Sequence, residues 1–191
     1  MKKKNWISTI YISLVLLFFY LPIAYVCFFS FNESKSLTNF TGFSLKWYSK
    51  MFSDRTIMEA IYYTVVIAII ATVVSTIVGT ITAIGLSKSK RIIKECVLQV
   101  NNLPMLNPEI VTAIGFMLFF TSLHIETGFT TLLLAHIAFC IPYVILSVMP
   151  KLRQLDDNLA EAALDLGCTP IQALIKVIIP QIKPGIISGA L

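Results

Sequence analysis

Apolar residues along this chain are gathered into four long runs that contain almost no charge. The runs cover residues 6–31, 60–87, 96–123 and 127–150, and Glu109 is the one Asp, Glu, Lys or Arg within them. Each run exceeds the roughly 20 residues that a helix needs to cross the bilayer core. We therefore predict four membrane-spanning helices, and we expect residues 184–191 to form the first two turns of a fifth.

The amino-acid composition favours a membrane protein over a soluble one. Hydrophobic residues make up 57% of the chain and charged residues 13%, with a mean hydropathy of +0.82. This composition leaves too little polar surface for a soluble domain of this length. The predicted fold class is an all-α membrane protein, in the form of a polytopic bundle of transmembrane helices.

The chain lacks the sequence motifs of the common enzyme classes and of metal sites. It has no G-x-x-x-x-G-K-S/T phosphate loop, no G-x-S-x-G nucleophile turn and no His, Cys, Asp or Glu cluster with metal-ligand spacing. Its four cysteines include no C-x-x-C pair. We expect no catalytic residue, no metal and no cofactor, and without a phosphate loop the chain is not expected to hydrolyse ATP by that mechanism.

The distribution of basic residues predicts the orientation in the membrane. Eleven of the fifteen Lys and Arg residues lie on one side of the predicted spans, which the positive-inside rule assigns to the cytoplasm. The amino terminus is therefore predicted to be cytoplasmic, and the net charge of +5 reflects orientation rather than nucleic-acid binding. The eleven residues are Lys2, Lys3, Lys4, Lys88, Lys90, Arg91, Lys94, Lys151, Arg153, Lys176 and Lys183.

The segment after the fourth run predicts two short helices joined by a glycine turn. In the first helix, Asn158 is expected to act as the N-cap and Glu161 to stand at the third position, where its carboxylate can reach free backbone amides. Gly167 supplies the left-handed residue that ends this helix.

The second helix is predicted from a capping box. Thr169 stands at the cap, Pro170 at the first position and Gln172 at the third. Pro180 and Pro184 are expected to end the helix.

Each of these two helices carries an apolar stripe at helical spacing. Such stripes either pack against the ends of the protein's own spans or enter the groove of a partner protein. The stripes are Leu159, Ala162, Ala163 and Leu166 on the first helix, and Ile171, Leu174, Ile175 and Ile178 on the second.

This segment resembles the signature loop of the inner-membrane permeases of binding-protein-dependent ABC importers. In that loop, Glu-Ala-Ala is followed after three residues by Gly, and nine residues later by Ile-x-Leu-Pro. The chain matches with Glu161, Ala162, Ala163 and Gly167, and it departs with Val177 for Ile and Ile179 for Leu. Segments 43–48, 107–111, 135–143 and 161–167 also look like the second permease subunit of spermidine/putrescine importers.

The resemblance implies a permease transmembrane domain of the type I ABC importer kind over residues 1–191, with a cytoplasmic coupling loop at 151–183. It implies that Glu161, Ala162, Ala163 and Gly167 couple the permease to an ATPase. The implied partners are a sister permease in a heterodimer, a cytoplasmic ATPase dimer and an extracytoplasmic solute-binding protein, in the bacterial inner membrane. Permeases of this family have six spans, and the chain contains about four and a third.

The third apolar run is interrupted by polar residues and prolines near Glu109. Asn107 is expected to cap, and Pro108 to start, a new helix that runs to Leu123. Glu109 then either is a helix-terminal carboxylate stabilised by the helix dipole or lines a translocation path for a cationic solute.

Two further residues have open interpretations. His136 is expected to be a packing residue rather than a proton relay, because no second ionisable group accompanies it in its span. Trp47 is expected to anchor the external loop at the membrane interface, with stacking on an incoming cation as the alternative.

Other function classes remain open at this point. A permease of the same superfamily could carry another solute, such as iron or an aminophosphonate. A stand-alone secondary carrier or channel is also physically possible, but neither predicts a capped helix pair on the cytoplasmic side.

Overall fold

A computed structural model of the chain describes residues 6–156 and 158–191. Lys2, Lys3 and Lys4, which contribute to the predicted orientation, lie outside the described residues, as does Asp157 in the predicted cytoplasmic loop. The described residues are helical over most of their length, and one isolated antiparallel bridge joins Asn32 to Phe43.

The described residues form the following helices: α1 Trp6–Phe29, α2 Lys46–Ser53, α3 Arg55–Ser87, α4 Arg91–Leu106, α5 Glu109–Ser122, α6 Phe129–Leu152, α7 Leu159–Asp165, α8 Pro170–Ala173 and α9 Ile179–Ala190. A π-helical turn, Leu174–Ile178, joins α8 to α9. The all-α fold class predicted from the sequence is confirmed.

Four helices in the described residues are long and apolar enough to cross a membrane: α1, α3, α6 and the continuous helix Pro170–Ala190. The pair α4 and α5 also passes this test if it counts as one span, but the two helices are bent by 105°. The prediction of a helix break before Glu109 is confirmed. Pro108 causes the break, since a residue before proline avoids the helical region and Asn107 has φ −90° and ψ 142°.

The predicted cap of α5 is wrong in its detail. Pro108 rather than Asn107 occupies the N-cap position, and no side chain caps the helix there. Asn107 instead ends α4 in an extended conformation.

Pro180 and Pro184 do not end the second helix of the predicted loop, so that prediction is wrong. The helix continues through both prolines to Ala190, so residues 184–191 belong to a continuous helix that begins at Pro170. In the π-helical turn the Ile179 N–H donates to the carbonyl of Leu174, five residues back. This wider turn directly precedes Pro180, where a regular helix would clash with the proline ring.

Two compact units divide the chain, and the first ends at Tyr62. Its loop is organised by the fully buried amide of Asn32, which donates to the carbonyls of Ser36 and Asn39 at 2.8 Å. The side-chain oxygen Oδ1 of Asn32 accepts from the Thr41 N–H at 2.8 Å. Burial of this amide with its hydrogen bonds satisfied fixes the loop between α1 and α2.

The second unit runs from Tyr63 to Leu191, and its core joins α3, α6 and α9. Glycines allow the helices to approach closely: a Cβ on Gly79 would lie 2.7 Å from Val144 Cβ, and one on Gly185 would lie 2.8 Å from Lys151 Cγ. Of the two glycines in α3, Gly79 is therefore a packing residue, whereas a Cβ added at Gly85 would meet no heavy atom within 4 Å. The core residues are Ala83, Leu86, Val144, Ile145, Val148, Met149 and Ile182.

Candidate functional site

The α7–α8 segment, residues 159–173, begins with a turn built by Asp156. The Asp156 carboxylate accepts from the Asn158 N–H at 3.0 Å, and its carbonyl accepts from the Leu159 N–H at 3.1 Å. Asn158 has helical dihedrals and makes no side-chain cap hydrogen bond. Asn158 therefore stands at the predicted N-cap position, but the predicted side-chain cap is wrong, because a capping side chain needs an extended backbone at that position and Asn158 is helical.

Gly167 ends α7 in the left-handed conformation that the sequence predicts. Its φ is 87°, its N–H donates to the carbonyl of Leu164 at 2.9 Å, and the Cys168 N–H donates to the carbonyl of Ala163 at 3.1 Å. These two bonds form a Schellman motif and satisfy carbonyls that the end of the helix leaves free.

The capping box of α8 is also confirmed. The Gln172 N–H donates to Thr169 Oγ1 at 3.3 Å, and the Thr169 N–H donates to Gln172 Oε1 at 3.1 Å. Pro170 occupies the first position of the helix. The turn between α7 and α8 is therefore fixed by backbone hydrogen bonds at the end of α7 and by side-chain-to-backbone hydrogen bonds at the start of α8.

Side chains of the α7–α8 segment divide into a buried set and an exposed set. Ala163 and Ala173 are buried, whereas Glu161 and Ala162 are exposed. Four large apolar side chains at or next to the segment are also exposed: Leu164 by 42%, Leu166 by 86%, Ile171 by 69% and Ile175 by 57%. An exposed carboxylate and exposed apolar side chains on a backbone fixed at its turn are suited to binding another protein.

Glu109 stands in the first turn of α5 and lines a cavity of about 580 Å³ between α5 and α6. His136 of α6 lines the same cavity, and its Nδ1 lies 2.8 Å from the Leu132 carbonyl oxygen. The sequence shows no second ionisable group in the span that contains His136, but in the structure Glu109 of α5 lines the same cavity as His136. Most of the remaining lining is apolar, including Phe116, Phe120 and Phe139.

Trp47 lies in the first unit, in α2. Its Nε1–H donates to the Asn32 carbonyl oxygen at 3.0 Å. The ammonium groups of Lys35, Lys46 and Lys50 lie 5.4 to 6.0 Å from the centroid of its ring. The ring is therefore already surrounded by the chain's own cations.

The chain is similar in sequence to known transport proteins. The family model described as "Binding-protein-dependent transport system inner membrane component" matches residues 75–191. The chain is 34% identical to the spermidine/putrescine transport system permease protein PotC of Haemophilus influenzae, over 90% of the chain and 67% of the relative.

Two relatives from Escherichia coli strain K12 show similar identity. The chain is 32% identical to the spermidine/putrescine transport system permease protein PotC, over 90% of the chain and 65% of that protein. It is 33% identical to the putrescine transport system permease protein PotI, over 90% of the chain and 64% of that protein. The chain thus spans about two thirds of the length of these relatives.

Proposed function

The chain belongs to the family of binding-protein-dependent transport system inner membrane components, and we propose that it is a permease subunit of an ATP-driven polyamine importer. Its relatives are named as spermidine/putrescine and putrescine permeases, which supports a polyamine as the solute. The observation that carries the proposal is the α7–α8 segment, where Glu161 and exposed apolar side chains flank a turn fixed by Gly167 and Thr169.

The α7–α8 segment is the proposed contact with a cytoplasmic ATPase subunit. Full burial of a Leu or Ile side chain contributes about 1.5 to 3 kcal/mol, so Leu166 and Ile171 together supply a large part of a docking energy. Glu161 adds specificity through its charge. Glu161, Ala162, Ala163 and Gly167 are the proposed coupling residues.

The geometry of the last helix supports a way to transmit motion. The helix from Pro170 to Ala190 is continuous through the π-helical turn. Its α9 part packs on α6, where a Cβ on Gly189 would lie 3.1 Å from Val144 Cα. Movement of the docked segment would therefore be carried along one helix to α6, in an alternating-access cycle without covalent chemistry on the solute.

Glu109 is the proposed solute-path residue. A carboxylate at a helix break within a transporter marks a pathway for a cation, and its charge is weakly screened beside apolar walls. The cavity shared with His136 and the phenylalanines supports this role. For Trp47, the bond to Asn32 and the three nearby lysines support an anchoring role in the external loop rather than contact with a polycation.

The remaining parts of the proposal concern topology and partners. The basic residues after α3 and α6 support a cytoplasmic position for the α7–α8 segment and a cytoplasmic amino terminus in the bacterial inner membrane. The proposed partners are a sister permease, an ATPase dimer and an extracytoplasmic solute-binding protein. Residues 1–191 then form a single permease domain, with the coupling loop at 151–183.

A charge reversal tests the proposed docking site. Glu161→Lys should lower the amount of ATPase that co-purifies with the permease while the permease still inserts into the membrane. Glu126→Lys is the control, because Glu126 is also an exposed carboxylate but lies between α5 and α6, outside the α7–α8 segment. Wild-type ATPase retention in the Glu161 variant would refute the docking proposal.

A further inference from the structure

Three cationic side chains converge on a second cavity, of about 540 Å³, at the end of the second unit where α3 and α6 terminate. Lys88 follows α3, Lys94 lies near the start of α4, and Arg153 follows α6. In the described part of the chain, the ion pairs within 4.0 Å are Arg55 with Glu59 and Arg91 with Glu95. The three cations at the cavity therefore have no carboxylate partner among the described residues.

The rest of this cavity is mainly apolar. Ile84, Leu152, Leu174 and Ile178 belong to its lining, and Asp156 is the one acidic side chain among the described residues of that lining. Three positive charges and one negative charge leave an excess of positive charge. The cavity therefore offers a cationic site together with a hydrophobic wall.

We propose that this cavity binds an anionic phospholipid of the cytoplasmic leaflet. Lys88, Lys94 and Arg153 bind the phosphate, and the apolar lining contacts the upper part of an acyl chain. A basic pocket between membrane helices is suited to an anionic lipid headgroup, and the location at the ends of two membrane-spanning helices matches the depth of that headgroup. A free phosphate shares the ionic chemistry but gains nothing from the apolar wall.

Lipid at this site has a consequence for the α7–α8 segment. Ala160, Leu164, Pro170 and Ala173 of that segment form one wall of the cavity. A bound lipid fills the space behind the segment and holds it in place, so anionic lipid should strengthen ATPase binding. This regulation rests on the proposed docking function and orientation, whereas lipid binding itself can be measured without them.

The test compares two charge-matched variants of the intact permease. Lys88→Gln/Lys94→Gln/Arg153→Gln removes the three cations of the cavity. Lys90→Gln/Lys176→Gln/Lys183→Gln removes three cations from the same predicted side of the membrane that do not line the cavity. Each protein is purified from bilayers of phosphatidylethanolamine with phosphatidylglycerol, and the phosphatidylglycerol retained per protein is counted by native mass spectrometry.

The cavity variant should retain phosphatidylglycerol on the order of 100-fold more weakly, because each basic residue near a bilayer surface contributes about 1 kcal/mol, or roughly fivefold, to anionic lipid binding. The control variant should retain it like the wild type. Equal retention in the two triple variants would overturn the proposal. If the triple cavity variant does not fold, Lys94→Gln alone should show a loss of roughly fivefold, and no loss would overturn the proposal.

Two further measurements distinguish a lipid phosphate from free phosphate, and lipid binding from ATPase docking. Millimolar inorganic phosphate should leave phosphatidylglycerol bound, and its release by inorganic phosphate would identify a free-anion site and overturn the lipid assignment. Retention is measured without ATPase, ATP or solute. A permease that retains phosphatidylglycerol through the cavity residues but binds no ATPase would therefore refute the proposed docking function and leave the lipid site standing.

Discussion

Replacing Gly167 by alanine isolates the contribution of one backbone conformation to the α7–α8 segment. Gly167 has a φ of 87° and ends α7 through the hydrogen bonds of Gly167 and Cys168. A Cβ at this position would meet no heavy atom within 4 Å. The cost of the substitution is therefore conformational rather than steric.

The expected magnitude follows from that conformation. A non-glycine residue in the left-handed region costs about 1 to 2 kcal/mol. A loss of this size changes an equilibrium by a factor of about 5 to 30. If the ATPase binds the turn as the structure shows it, Gly167→Ala should weaken ATPase binding by up to that factor.

The assay titrates ATPase against reconstituted permease and measures solute uptake per assembled complex. Gly167→Asn should lose less affinity than Gly167→Ala, since asparagine tolerates the left-handed region. Gly85→Ala is the control, because a Cβ added at this helical glycine would meet no heavy atom within 4 Å, and alanine is favourable in a helix. Wild-type affinity in Gly167→Ala, or equal losses for alanine and asparagine, would refute the reasoning.

Three other predictions address packing, topology and the solute path. Gly79→Leu should lower the melting temperature of the permease, because even a Cβ there would lie 2.7 Å from Val144 Cβ. Gly85→Leu should have little effect, and equal melting temperatures for these two variants would contradict the packing. Single cysteines at Ser36 and Thr127 should react with an impermeant maleimide from outside, and a cysteine at Ser89 only after the membrane is opened; the reverse pattern would overturn the orientation. Glu109→Gln should reduce maximal polyamine uptake per assembled transporter with ATPase association intact, and wild-type uptake would remove Glu109 from the path.

Features held by local hydrogen bonds are the ones that the sequence predicts correctly. The box formed by Thr169 and Gln172 and the left-handed Gly167 depend on residues within a few positions of each other, so their spacing is sufficient. Asn158 takes the predicted N-cap position, but its side chain makes no cap hydrogen bond because its backbone is helical there. The Asp156 carboxylate forms the preceding turn by accepting from the Asn158 N–H.

Features set by packing between distant segments were not predictable in the same way. Pro180 and Pro184 are helix-ending signals in isolation, but the π-helical turn and the packing of α9 on α6 keep the helix intact. The cavity shared by Glu109 and His136 likewise depends on how α5 folds back after its bend. The sequence identifies both residues, but it gives no measure of their proximity.

Solute uptake into proteoliposomes tests the central claim most directly. The permease is reconstituted with its sister permease and ATPase, and the solute-binding protein is loaded with radiolabelled spermidine on the external side. The account predicts that spermidine accumulates inside the proteoliposomes only when ATP, the ATPase and the binding protein are all present. Accumulation should be lost in Gly167→Pro, although the permease subunits remain in the membrane. Spermidine accumulation by the permease without any ATPase would contradict the account.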